Sequence, residues 1–116
     1  MSTRPRERED NLKARVMKRL VAFGGFWWRQ GSSPWSRAGV ADILGLYKGY
    51  AFAIELKAPG AYSRPEVGTT PAQKQFLRSF RDAGGGYALV EDDEERLFER
   101  LQEIKRKIDE HRYTHP

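Results

Sequence analysis

Asp42, Glu55 and Lys57 are charged residues in apolar surroundings, and their types and spacing would suit phosphate chemistry. Read as a strand with a two-residue period, residues 50–57 point Glu55 and Lys57 toward one face, beside small alanines. Asp42 has the parity of the apolar residues around it, so it also projects from an apolar face. Because an unpaired buried charge costs on the order of several kcal/mol, these groups need a partner.

A divalent cation is the partner that this set favours. Two carboxylates on adjacent strands can bind a hard metal through oxygen, and Mg²⁺ usually takes one or two protein carboxylates plus waters and phosphate oxygens. Such a metal lowers the pKa of a bound water and neutralises charge on a phosphate in the transition state. Lys57 could orient that water or stabilise the phosphate. The set therefore predicts phosphodiester hydrolysis with Mg²⁺ or Mn²⁺.

A structural interpretation competes with this one: Glu55 and Lys57 would form a surface ion pair, and Asp42 would cap a turn. For a lone Glu-x-Lys that interpretation is preferred, because surface ion pairs contribute little. Here the Glu-Leu-Lys ends an apolar strand, Asp42 lies 13 residues upstream after a glycine, and a turn separates the two. This context favours a catalytic role.

The elements that must position these residues are predicted in the order α-β-β-β-α-β-α. Lys48-Gly49 is the turn of a hairpin, and Thr70 and Pro71 begin the second helix. Residues 59–68 lack periodicity and are predicted to form a mobile loop. The predicted helices cover about 7–23, 71–83 and 93–110, and the predicted strands cover about 26–30, 40–48, 50–58 and 87–90.

Four ordered segments resemble the VRR-NUC (virus-type replication-repair nuclease) family of the PD-(D/E)xK nuclease superfamily. They are Gly39-Val40-Ala41-Asp42, Ala53-Ile54-Glu55-Leu56-Lys57, Thr70-Pro71-Ala72-Gln73 and Ala83-Gly84-Gly85. The resemblance runs from the first helix to about Val90; it departs at Ala41, where the family usually has proline. It implies an α/β, restriction-endonuclease-like core with a mixed central sheet flanked by helices.

The same resemblance implies a metal site built on Asp42, Glu55 and the backbone carbonyl of Leu56, with Lys57 catalytic. A glutamate early in the first helix often contributes in this family, and Glu9 is the best positional match. We expect one nuclease domain over 1–116, with a core of about 7–92 and a C-terminal amphipathic helix of about 93–110 outside the match.

Gln73 has two interpretations. It lies four and seven residues before Leu77 and Phe80, on the inward face of the second helix, where it could bond Glu55, Lys57 or a phosphate. Thr70-x-x-Gln73 also spells a capping box. The resemblance favours the site, and the two roles are compatible.

Other residues are candidates for contacts with DNA. Arg29, Arg37 and Arg64 could bind phosphates, and Trp35, in a polar loop, could stack on unpaired bases. Trp27 and Trp28 are expected to fill the core instead. His111 and His115 lie in the tail and are given no metal role.

Composition bounds the partners and the compartment. The chain has 116 residues and a net charge of +5. Lys and Arg outnumber acids eight to three in residues 1–29 and seven to four in 30–90, whereas acids lead nine to six in 91–116. A basic body favours a polyanionic partner. No cysteine, secretory signal or apolar run of about 20 residues is present, so we expect a cytoplasmic protein, in a bacterial cell or a phage-infected host.

The leading hypothesis is a metal-dependent DNA endonuclease that selects branched or flapped DNA. The alternatives are a nicking or restriction-type nuclease without branch preference, and a non-catalytic basic DNA-binding protein. A homodimer is expected, because paired cuts in two strands of a junction need two sites. The apolar seam of the third helix is one candidate surface, although packing of that seam on the chain's own sheet is slightly favoured, so the dimer could form instead through the aromatic strand Phe26 to Trp28. The seam residues are Leu97, Leu101, Ile104 and Ile108.

Overall fold

A computed structural model of the protein describes residues 5–31, 39–58, 70–83 and 86–114. Its helices and strands follow the predicted order. The elements are α1 (Pro5–Phe23), β1 (Phe26–Arg29), β2 (Ile43–Tyr47), β3 (Tyr50–Leu56), α2 (Pro71–Asp82), β4 (Tyr87–Glu91) and α3 (Glu94–Thr114).

The four strands form one mixed sheet in the order β1-β2-β3-β4. The pairs β1–β2 and β2–β3 are antiparallel, and β3 and β4 are parallel. The β2–β3 hairpin turns at Lys48 and Gly49, whose φ angles of 47° and 88° are both left-handed, as a two-residue type I′ turn requires. The parallel pair is joined through α2, because parallel neighbours need a crossover connection.

The main core lies between the sheet and the helices α1 and α3. The apolar stripe of α1, Leu12, Val16 and Leu20, is fully buried there with Phe52 and Ile54 of β3. Of the seam on α3, Leu97, Leu101 and Ile108 are also buried in this cluster and Ile104 packs against it. The seam therefore packs against the chain's own sheet.

The helix α2 covers the opposite face of the sheet. Its Leu77 packs with Ala41 and Ala53, and Phe76 and Phe80 flank this smaller cluster. Because side chains alternate along a strand, β3 gives Phe52, Ile54 and Leu56 to the main core and Ala53, Glu55 and Lys57 to the α2 face. The predicted facial division of this strand is confirmed.

The strand ends differ from the prediction by a few residues at the site. β2 begins at Ile43 and not near Val40, so Asp42 precedes the strand, and its side chain turns to accept a hydrogen bond from Leu56 N. β3 ends at Leu56, although Lys57 N still donates to Glu91 O at 2.9 Å. At this end of the hairpin the side chain of Asp42, and not a backbone carbonyl of β2, accepts the hydrogen bond of Leu56 N.

The helix ends follow capping residues. α3 begins at Glu94 because Asp93 Oδ1 accepts from Arg96 N at 2.8 Å, and it runs to Thr114, one turn beyond the predicted end. α2 ends at Asp82, close to the predicted Ala83. The predicted loop over 59–68 lies outside the described residues. No helix in the described ranges has the length and apolar character that crossing a bilayer requires.

Candidate functional site

The β2–β3 hairpin brings the two carboxylates together. Ile43 is paired with Ile54, so the antiparallel register places Asp42 opposite Glu55 just beyond the last pair. Asp42 Oδ2 accepts a hydrogen bond from Leu56 N at 2.7 Å. Asp42 is therefore fixed against the backbone of the Glu-Leu-Lys segment by the turn that joins the strands.

Gln73 joins α2 to both charged groups of β3. Its Nε2 donates to Glu55 Oε1 at 2.9 Å, and its Oε1 accepts from Lys57 Nζ at 2.7 Å. Lys57 Nζ is 3.6 Å from Glu55 Oε1, so the three side chains form a closed triangle. With this orientation of the amide, each of these contacts joins a donor to an acceptor.

The same glutamine completes the capping box of α2. Thr70 N donates to Gln73 Oε1 at 2.9 Å, and Gln73 N donates to Thr70 Oγ1 at 3.2 Å. Gln73 therefore caps α2 and contacts Glu55 and Lys57 at the same time, as expected. The start of α2 holds Gln73 in place for Glu55 and Lys57, since its amide oxygen accepts from both the cap and the lysine.

Lys13 is a charged neighbour of the site that the sequence reasoning missed. It lies on α1, beside the buried Leu12, and its Nζ is 3.1 Å from Asp42 Oδ1. A signal was available, because Lys13 follows Glu9 by four residues and so shares its helix face. Two lysines, Lys13 on α1 and Lys57 just after β3, therefore face the two carboxylates.

The Glu55 carboxyl is buried and strongly perturbed. Burial first, and then the negative charge of Asp42, raise the pKa of Glu55 to about 8 against the opposing charges of Lys57 and Lys13. Among the described groups no hydrogen-bond partner is found for its Oε2. A buried carboxylate oxygen without a donor, next to a second carboxylate, is the environment that a cation would stabilise.

The residues present fit a hard divalent ion with few protein ligands. Asp42 and Glu55 supply carboxylate oxygens, and the Leu56 backbone is adjacent, which suits Mg²⁺ with its preference for one or two carboxylates and several waters. Within the described ranges no group of three or more His, Cys, Asp or Glu side chains is placed so that it could hold a metal ion. Glu9 lies in α1, but its side chain is outside the described residues.

The predicted DNA contacts fall in two groups. Arg29 is exposed at the end of β1, whereas Trp35, Arg37 and Arg64 lie outside the described residues. His111 is in the last turn of α3, and His115 is also undescribed.

The two tryptophans of β1 have different environments. Trp27 packs against the core, over Gly45, where a Cβ would stand 2.1 Å from the indole ring. The expectation that Trp28 fills the core is wrong. It is 37% exposed, because alternation along an edge strand turns it to the side of the sheet that α2 leaves open.

A solved structure described as a VRR_NUC domain aligns with 82% of this chain and 95% of its own length, at a TM-score of 0.62 and 20% sequence identity. The chain has the VRR_NUC fold. No family model and no curated protein sequence matches it. The fold implied by the resemblance of the short motifs is confirmed, and the VRR_NUC likeness rests on architecture more than on sequence.

Proposed function

We propose that this protein is a metal-dependent DNA endonuclease of the VRR-NUC type, with one nuclease domain over 1–116. The observation that carries the proposal is the meeting of Asp42, Glu55, Lys57 and Gln73 at the end of β3, with one oxygen of the buried Glu55 carboxyl unpartnered among the described groups. A carboxyl with a strongly raised pKa, such as that of Glu55, beside an ordered lysine is characteristic of catalytic sites. The VRR_NUC fold supports the same reaction class.

In this proposal Asp42, Glu55 and the Leu56 carbonyl hold Mg²⁺ or Mn²⁺, with Glu9 as a further ligand. When bound, the ion supplies an activated water and charge neutralisation at the phosphate. Water adds to phosphorus, one P–O bond to a sugar oxygen breaks, and the leaving oxygen takes up a proton. The short β2–β3 hairpin, which brings the two carboxylates together, supports this assignment.

The role that we assign to Lys57 is to stabilise negative charge on the phosphate being cleaved. Its Nζ donates to Gln73 Oε1, which leaves further N–H donors for a phosphate oxygen. Because the capping box fixes Gln73, the ammonium is oriented before substrate binds, and such preorganisation is where electrostatic catalysis gains most. Gln73 is accordingly a positioning residue.

We further propose selectivity for branched or flapped DNA, and a homodimer that presents the site twice. The dimer surface that we favour is β1, an edge strand whose outer face exposes Phe26 by 66% and Trp28 by 37%, beside Leu46 at 46%. Arg29, Trp35, Arg37 and Arg64 remain proposed DNA contacts. The enzyme would act in the cytoplasm of a bacterial cell or a phage-infected host.

A second candidate is a basic DNA-binding protein in which the charged cluster is structural. The observation that favours it is the pairing of both carboxylates with lysines, Asp42 with Lys13 at 3.1 Å and Glu55 with Lys57 at 3.6 Å. Such a cluster could hold the helices to the sheet without a metal. A third candidate is a nicking or restriction-type nuclease without branch preference. Comparing cleavage of linear and branched DNA distinguishes it from the branch-selective endonuclease.

The deciding experiment is plasmid nicking in Mg²⁺, Mn²⁺ or EDTA, followed by linear and branched oligonucleotides. We expect cleavage only with metal, and its loss in Asp42→Asn, Glu55→Gln and Lys57→Ala, while DNA binding is kept because phosphate contacts come from other cations. Lys18→Ala, an exposed lysine of α1, is the matched control. Full activity of a folded Lys57→Ala protein with excess metal would refute the mechanism.

A further inference from the structure

The exposed face of α2 carries three cations in a row. Lys74, Arg78 and Arg81 are spaced by four and three residues, so they share one face of the helix. All three are exposed. At about 1.5 Å per residue, they extend over roughly 10 Å of the helix axis, which is about three nucleotides of one DNA strand at 3.4 Å each.

These cations line a groove between α2 and β4. The groove has a volume of about 290 Å³, and its apolar walls are Leu77, Ala88 and Val90. No acidic side chain in the described ranges lines it. A polyanion could therefore lie along the groove without meeting a negative charge, and its apolar walls would receive the sugars.

The groove leads to the candidate site. Val90 is paired with Glu55 in the parallel β3–β4 register, and both project to the α2 face. Lys74 directly follows Gln73, the residue that contacts Glu55 and Lys57, whereas Arg81 lies at the far end, beside Gly86 and Tyr87. A strand bound along α2 would thus have one end at the carboxylates.

The cations elsewhere on the described surface are largely neutralised by acids. Arg15 and Arg19 pair with Glu94, and Arg96 and Arg100 pair with Glu91. In the groove, by contrast, Lys74 and Arg78 form no ion pair with any acid in the described ranges. Arg81 has only a 3.7 Å contact to Asp82, which is exposed. Lys74 and Arg78 thus stand together on one face of α2, whereas Lys18, Arg29 and Arg106, exposed cations that also lack an ion pair to a described acid, lie apart on α1, β1 and α3.

We propose that the α2–β4 groove binds the sugar-phosphate backbone of the DNA strand that passes through the candidate site, with Lys74, Arg78 and Arg81 on successive phosphates. The inference rests on the proposed nuclease function and extends it to residues outside the catalytic cluster. Such contacts are independent of base sequence and set the register of the strand.

The test is fluorescence anisotropy with a labelled DNA duplex in EDTA, so that binding is measured without cleavage, over a series of salt concentrations. The variant is Lys74→Gln with Arg78→Gln. Its matched control is Lys18→Gln with Arg106→Gln, which removes one exposed lysine and one exposed arginine from α1 and α3. Exposed substitutions of this kind change stability little, and equal melting temperatures would verify that.

The slope of log K against log salt is negative, and each phosphate contact adds about 0.9 to its magnitude. The groove variant removes two such contacts, so the magnitude of its slope should be smaller by about 1.8. The control should keep the wild-type slope. Equal slopes for the two double variants, with metal-dependent cleavage intact, would overturn the proposal that the groove binds DNA and would leave the proposed nuclease function standing. A wild-type protein that neither binds nor cleaves DNA would overturn both.

Discussion

Glu55 is a buried acid whose charged form the folded protein disfavours. Because its folded pKa of about 8 lies above the ordinary value of 4.5, the native state binds its proton more tightly than the unfolded chain does. The free energy of unfolding must then fall as pH rises between those two values, and level off above the higher one. The facing charges are Asp42 just before β2, Lys57 just after β3 and Lys13 on α1.

We expect Glu55→Gln to remove that pH dependence and to make the metal-free protein more stable at pH 8 to 9, by an amount on the order of several kcal/mol. Urea denaturation in EDTA at a series of pH values measures it. Glu99→Gln, an exposed glutamate of α3, is the control. Parallel pH profiles for the wild type and Glu55→Gln would contradict the assignment.

Lys13 is a fixed cation where a metal ion would compete for the same carboxylate. Since its Nζ is 3.1 Å from Asp42 Oδ1, Lys13→Gln should tighten Mn²⁺ binding. A factor of about five is expected, because a partly exposed ion pair contributes up to about 1 kcal/mol. Electron paramagnetic resonance of free Mn²⁺ measures the affinity without catalysis. Lys13→Arg keeps the charge and should bind as the wild type does; weaker binding by Lys13→Gln would contradict this account.

At the scale of the element, Gly39 joins the segment before β2 to the start of α2. Its φ is +80°, and a Cβ there would stand 2.5 Å from the Ala72 backbone. Gly39→Ala should therefore cost about 1 to 3 kcal/mol for the conformation alone, and more for the contact, and it should shift the segment that carries Asp42 away from the start of α2. The free energy of unfolding, measured by chemical denaturation, and the affinity for Mn²⁺ should both fall.

Gly31→Ala is the control for this change, because no described atom lies within 4 Å of a Cβ at Gly31 and its φ is ordinary. It should be neutral. If Gly39→Ala were as stable as Gly31→Ala and bound metal equally well, the close approach of the two segments would not be needed to build the site.

How far the sequence predicts these elements depends on how local their causes are. The hairpin was predictable from Lys48-Gly49 and the start of α2 from Thr70 and Gln73, because each signal acts within a few residues. Asp42 lies before β2 because its side chain bonds Leu56 N, 14 residues away. Such a contact depends on the register, which local patterns do not give.

At the scale of the whole molecule, the proposed homodimer can be tested by changing its proposed interface on β1. Phe26→Glu should convert a 26.8 kDa dimer, twice 13.4 kDa, into a monomer in light scattering at micromolar concentration, because it puts a charge on the exposed face of β1. Val21→Glu, at an exposed apolar position of α1, should leave the dimer intact. A wild-type monomer would refute the dimer; equal dissociation in both variants would refute the surface.

The packing of the whole molecule could not be predicted from the spacing of its apolar residues. The seam Leu97, Leu101 and Ile108 has the same spacing whether it covers its own sheet or a partner, and only the assembled core decides. Trp28 was expected to be buried in the core for the same kind of reason, but it is exposed. Lys13 shares a helix face with Glu9, but that this face meets the site depends on how α1 packs across the sheet, which the spacing alone does not give. Sequence periodicity identifies apolar faces but not what covers them.

The exposed edge of β1 has a consequence for the protein's behaviour in solution. An edge strand with aromatic side chains and the single charge of Arg29 is a template for pairing with another strand, and self-repulsion of a chain at +5 opposes that pairing. Added salt screens the repulsion and does not weaken apolar contacts. Self-association should therefore grow under the ionic conditions that release DNA, so that concentrated salt favours assembly and dilute salt favours the DNA-bound state.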